Sequence, residues 1–146
     1  KKISHVPQNI FLSDGTIEAN IAFGVASNEI DSDLIGKAAK QAQIFELVKT
    51  WKQKYNTIVG ERGARLSGGQ RQRIGIARGI YGDAKILIFD ESTNALDANT
   101  EKEILINLDK LKSDKTIIFA SHSTKILKEL SDQIFNIKNG NVEINK

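Results

Sequence analysis

The chain has 146 residues, 40% of them hydrophobic and 27% charged, which fits one folded soluble domain and excludes disorder, collagen and coiled coil. Its formal charge of +3 comes from 21 Lys and Arg against 18 Asp and Glu interspersed along the chain, so the one-sided basic face that nucleic acid needs is missing and no nucleic-acid partner is expected. Without cysteine, disulfides and thiolate metal sites are excluded; the only histidines are His5 and His122, and no apolar run approaches the ~20 residues that span a bilayer.

In chain order, Ile3 to Val6 reads as a strand closed by the single proline, Pro7. After a turn at Asp14 and Gly15, Thr16 caps a short helix whose Ile17, Ile21 and Ala22 fall at helical spacing before Gly24 stops it. Residues 31–48 read as mostly helical, with Leu34, Ile35, Ala38, Ala42, Phe45 and Leu47 or Val48 on one broad side. A glycine-punctuated loop over residues 60–69 feeds a helix over 67–81, with Ile74, Ala77 and Tyr81 on its inner stripe.

The texture then changes. Ile86, Leu87, Ile88 and Phe89 are continuously apolar, the pattern of a strand buried on both faces of a parallel sheet. Residues 115–120 repeat it with Ile117, Ile118 and Phe119, and a third strand follows at Ile134, Phe135, Asn136 and Ile137. Two amphipathic helices lie between, one carrying Ile104, Leu105, Leu108 and Leu111, the other Ile126, Leu127 and Leu130. The alternation predicts an α/β fold with right-handed parallel crossovers, and Asn139-Gly140 predicts a terminal hairpin returning through Val142 and Ile144. The helical first half and wound second half place a boundary near Ala84, giving subdomains of about 9–83 and 84–146.

Leu66, Ser67, Gly68, Gly69 and Gln70 sit at the loop-to-helix junction, where free backbone N–H groups and the positive helix end attract an anion. Two glycines there let the backbone approach a phosphate closely. Asp90 and Glu91 end an apolar strand, the edge where ligands bind in open α/β sheets. An aspartate at that point suits Mg²⁺ through a water, and the next residue suits orienting an attacking water. His122 follows the next strand and reaches the same edge, where an imidazole bonds a phosphate oxygen. Taken alone, each of these also fits a helix cap, a polar strand end or a surface residue, and Gln8, just past the first strand, is individually uninformative.

In this order the residues resemble the carboxyl-terminal part of an ATP-binding cassette (ABC) nucleotide-binding domain. Gln8 matches the Q-loop, Leu66 to Gln70 the signature motif, and Ile86 to Asp90 the Walker B strand. Glu91 matches the catalytic glutamate, Asn94 to Asp97 the D-loop and His122 the H-loop. Thr57 to Gly63 resembles the loop that precedes the signature in exporters and contacts the membrane domain; Pro7 to Leu12 and Ile21 to Gly24 also follow the exporter pattern. No heptad run of the kind DNA-repair relatives insert is present.

The resemblance implies a P-loop NTPase, RecA-like parallel sheet with an attached helical signature subdomain. It implies ATP and Mg²⁺ as ligands, a head-to-tail dimer with a second nucleotide-binding domain, and a transmembrane domain partner at the cytoplasmic face of a membrane. Glu91 and His122 take catalytic roles; Gln8, Ser67, Gly68, Gly69, Gln70 and Asp97 serve nucleotide binding; Asp90 and Gln8 serve Mg²⁺.

Three departures stand out. Asn94 replaces the usual D-loop serine, and Gly75 and Gly79 replace the more frequent alanines, suggesting close helix packing or a slightly weaker helix. A P-loop, G-x-x-x-x-G-K-[ST], is missing: Gly36-Lys37 is followed by Ala38 and has Asp31 where the first glycine belongs. With Glu91 and His122 intact, the chain is expected to be an excised part of an ATPase that powers export or lipid flipping, inactive alone. A non-catalytic interaction fragment and a soluble, non-transport ATPase are the alternatives.

Overall fold

The computed structural model describes residues 2–121, 128 and 130–145. Strands β1 (Ile3–Val6), β2 (Ile86–Asp90) and β3 (Thr116–Ala120) form a parallel sheet in the order β1-β2-β3. The register sets Val6 against Phe89 and Phe89 against Phe119, whose rings stack with centroids 4.7 Å apart. β2 therefore lies between two strands that come from opposite ends of the chain.

Between β1 and β2 run four helices, α1 (Ile17–Ile21), α2 (Ser32–Gln41), α3 (Phe45–Thr50) and α4 (Gly68–Tyr81). α4 packs on α1, α2 and β1, so the helical segment and the sheet share one apolar core. Gly75 and Gly79 make the approach possible: a Cβ on Gly75 would lie 2.4 Å from Ile10 Cδ1, and one on Gly79 2.5 Å from Val6 Cγ2. Of the two readings of these glycines, close packing is the one the structure bears.

The helix expected over residues 31–48 is interrupted. α2 ends in a Schellman turn: Gln43 is left-handed at φ 55°, its N–H reaches the Lys40 carbonyl, and the Ile44 N–H reaches Ala39. No glycine marks this stop. The stop is held from outside, where Arg73 of α4 donates to the Gln43 carbonyl at 2.7 Å.

α5 (Ala98–Asp109) connects β2 to β3 and buries Ile104, Leu105 and Leu108. β2 is not covered on both faces by the described residues: Leu87 and Phe89 are fully buried while Ile86 and Ile88 are only half-buried, and Ile118 of β3 is 48% exposed. The third strand also departs from expectation. β4 (Phe135–Lys138) pairs antiparallel with β5 (Asn141–Ile144) and, among the described residues, does not join the parallel sheet. Its partner is dictated locally, because Asn139 and Gly140 both take positive φ and close a tight turn. The second amphipathic helix, expected through Ile126 and Leu127, lies outside the described residues apart from Lys128 and Leu130.

Candidate active site

Two clusters of polar groups lie at the ends of these elements, joined by the turn after β2. The first is at the carboxyl edge of the sheet. The parallel register carries Pro7 and Gln8, past the end of β1, beside Asp90, the last residue of β2, and Glu91, which follows it. Gln8 Nε2 donates to Glu91 Oε2 at 2.8 Å across 83 residues of sequence. Asn94 Nδ2 donates to the same oxygen at 3.0 Å. Glu91 itself is left-handed at φ 46°, a conformation that costs a non-glycine residue and turns its side chain off the strand, with its N–H on the Ala120 carbonyl. Asp90 is half-exposed, and His5 Nε2 of β1 lies 3.9 Å from its Oδ2.

The second cluster is the amino end of α4. Ser67 is the N-cap of a complete capping box: its Oγ accepts the Gln70 N–H at 3.2 Å, and the Gln70 side-chain oxygen accepts the Ser67 N–H at 2.9 Å. Gln70 is thereby engaged within the cap. The glycines serve a neighbour as well as an open helix end, since a Cβ on Gly69 would lie 3.1 Å from the Ala95 carbonyl oxygen and one on Gly68 3.5 Å from the Ala95 Cβ. Ser67, Gly68, Gly69 and Arg73 line a cleft of about 410 Å³ with Ala95, Leu96, Asp97 and Thr100.

Burial lowers the pKa of the Arg73 guanidinium, and the Asp97 charge opposes that shift. Asp97 is the N-cap of α5, with the Thr100 hydroxyl donating at 2.6 Å and the Thr100 N–H at 3.0 Å. These two bonds hold its carboxyl below the usual range.

The turn 92–97 belongs to both clusters. Asn94 faces Glu91, whereas the Ala95 N–H donates to the Gln72 side-chain oxygen of α4 at 2.9 Å. The structure thus brings Gln8, Asp90 and Glu91 together, and separately Ser67, Gly68, Gly69, Gln70 and Asp97. His122 lies outside the described residues. Sequence reasoning passed over His5, Gln72, Arg73 and the role of Asn94. The spacing of Asn94 three residues after Glu91, one turn of chain, is the signal that could have found the last of them.

A family model described as ABC transporter matches residues 1–94. The ATP-dependent lipid A-core flippase of Pseudoalteromonas translucida is 46% identical over 142 residues, covering 97% of this chain and 24% of that protein. The ABC transporter ATM1 of Toxoplasma gondii is 39% identical over 142 residues, covering 97% of this chain and 12% of that protein. A solved structure of a bacterial Atm1-family ABC exporter with ATP bound superposes with a TM-score of 0.88 at 37% identity, over 97% of this chain and 24% of that one. The chain spans about a quarter or less of the length of these relatives. The sheet edge with its Asp-Glu pair, the capped amino end of α4 and the turn between them are therefore parts of an ABC-exporter nucleotide-binding fold, and the chain belongs to the ABC transporter family.

Proposed function

We propose that this chain supplies the catalytic glutamate and the signature sequence of an ABC exporter, and that the intact transporter hydrolyses ATP to drive export or flipping of a lipid-linked substrate. The observation that carries this reading is the Glu91 carboxylate, turned off the end of β2 at the sheet's ligand-binding edge and held there by Gln8. The likeness to lipid A-core flippases supports the substrate class.

In this reading Glu91 orients the attacking water and accepts its proton. The water oxygen bonds to the γ-phosphorus as the bond to the β-phosphate oxygen breaks, leaving ADP and phosphate. Asp90 and Gln8 would hold Mg²⁺, which neutralises phosphate charge when bound. The described residues hold no group of three or more His, Cys, Asp or Glu placed to hold a metal ion by themselves. One strand-end carboxylate suits an ion that takes one or two carboxylates together with substrate phosphates. Gln8 reports the γ-phosphate to the membrane domain, and His122 bonds that phosphate. Ser67, Gly68 and Gly69 offer α4's free N–H groups, and Ser67 its hydroxyl, to nucleotide bound by a second, head-to-tail nucleotide-binding domain. Gln70 keeps Ser67 in place and Asp97 shapes the dimer seam. Residues of about 9–83 act as the helical subdomain and 84–146 as part of the α/β core. No helix among the described residues is long and apolar enough to cross a membrane. The proposed place is the cytoplasmic face, against a transmembrane domain of the same transporter.

The test is Glu91→Gln in the full-length transporter. The amide keeps shape and removes the base, so ATP binding is expected to survive while steady turnover is lost. Wild-type turnover in that variant overturns the assignment.

A further inference from the structure

We propose that Asn94, the residue at which this chain departs from the family's usual serine, is a positioning residue that fixes the Glu91 carboxylate for hydrolysis; the proposal rests on the function assigned to Glu91 above. Glu91 Oε2 accepts two amide donors, Gln8 Nε2 at 2.8 Å and Asn94 Nδ2 at 3.0 Å. Only the nitrogen end of each amide makes such a bond to a carboxylate, so the chemistry sets their orientation. One donor restrains a glutamate only partly, because the carboxylate swings about the single bond. A second donor on the same oxygen fixes the plane of the group and with it the place of Oε1.

The two donors differ in kind. Gln8 sits on a loop far away in sequence and, in the proposed function, also answers to the γ-phosphate. Asn94 has no such second task in that reading, and it sits in a turn held by hydrogen bonds of its neighbours. Its own N–H reaches the Glu91 carbonyl at 3.4 Å, and the next residue, Ala95, donates to the largely buried Gln72. The Leu96 N–H closes onto the Thr93 carbonyl, and the buried Thr93 hydroxyl donates to Glu101 at 2.8 Å. Asn94 is a fixed post beside a side chain with three rotatable bonds. When Gln8 turns toward nucleotide, Asn94 keeps Glu91 aimed. A serine side chain ends one atom short of the amide nitrogen, so the family's usual residue does not supply this contact from the same backbone position.

The prediction is a change in turnover without a change in binding. In the full-length transporter, Asn94→Ala is expected to lower kcat about three- to tenfold, the effect of one solvent-accessible hydrogen bond to a charged group, with KM for ATP within about twofold. Asn94→Asp keeps size and shape but sets a like charge against Glu91, so its kcat is expected to fall further. Asn94→Asp loses the donor as well, so it is the unchanged KM and dimerisation that separate positioning from a purely structural role. Combining either substitution with Glu91→Gln is expected to leave ATP-driven dimerisation as in Glu91→Gln alone.

Wild-type kcat in Asn94→Asp overturns the proposal, as does a loss of kcat matched by a rise in KM or by failure of dimerisation. The controls separate this from the parent reading. If Glu91→Gln alone keeps turnover, the assignment of Glu91 falls and the proposal with it. If Glu91→Gln is dead while both Asn94 variants turn over normally, only the proposal falls.

Discussion

The side-chain oxygen of Gln72 accepts the backbone N–H of Ala95 at 2.9 Å, bonding α4 to the turn between β2 and α5. Gln72 is 7% exposed while Ala95 is exposed, so the bond is part-buried, and the same turn presses its Ala95 carbonyl against Gly69. The amino end of α4 and the segment that follows Glu91 are therefore held as one piece.

Replacing Gln72 with Leu keeps its bulk and leaves the Ala95 N–H without an acceptor. Because Ala95 is itself exposed and its freed N–H can turn to water, that is expected to cost about 1 kcal/mol, the net worth of one hydrogen bond. Urea unfolding of the nucleotide-binding domain measures it, and amide exchange at Ala95 is expected to accelerate beyond the global loss. An Ala95 amide as protected as in the wild type would show that this bond does not hold the turn.

Gly75→Ala is expected to destabilise although alanine favours helix by roughly 1 kcal/mol. The added methyl would lie within 3 Å of three carbons of Ile10, and the side chain must move bodily, since two of these carbons are attached to Cβ. Overpacking of this kind costs about 1–3 kcal/mol, which equals or exceeds the helix gain. Pairing it with Ile10→Val, which removes the nearest of the three carbons, is expected to recover part of the loss. Thermal unfolding that rises in Gly75→Ala alone would contradict the close approach of α4 to the segment after β1.

Much of the site is legible in the sequence because its parts are local. Ser67 and Gln70 lie three residues apart, and that spacing alone specifies the cap on α4. Asp90 and Glu91 end an apolar run, and the run itself marks the strand. What sequence does not carry is the pairing of distant groups. Gln8 meets Glu91 only because β1 and β2 run parallel in a fixed register. The break after α2 is hidden for a similar reason, since its left-handed residue is Gln43 and its carbonyl partner, Arg73, is 30 residues on. Continuous apolar runs likewise give the strand but not its cover. Ile118 reads like Phe119, yet only Phe119 turns toward the core cluster.

Asp97 offers a test by pH. Its carboxylate accepts the Thr100 hydroxyl and the Thr100 N–H, both bonds favour the anion, and the folded carboxyl lies below its ordinary value of 3.8. A group whose pKa is depressed by folding contributes stability above its unfolded pKa and loses it as pH falls through the folded one. The cap is therefore fully effective at neutral pH and fades in acid below about 4. Asp97→Ala is expected to unfold at a lower urea concentration than the wild type at pH 7, with the gap closing as pH drops toward about 2.5. Asp97→Asn keeps an acceptor for the Thr100 N–H without the charge, so it is expected to lie between the two at neutral pH. Arg73, which lines the same cleft, feels the Asp97 charge as well, so a wild-type advantage over Asp97→Asn that vanishes in high salt would assign that part to Arg73 instead of to the cap. A gap between wild type and Asp97→Ala that stays constant down to about pH 2.5 would mean that the Thr100 bonds do not depend on the ionised carboxylate, and that α5 is capped by geometry alone.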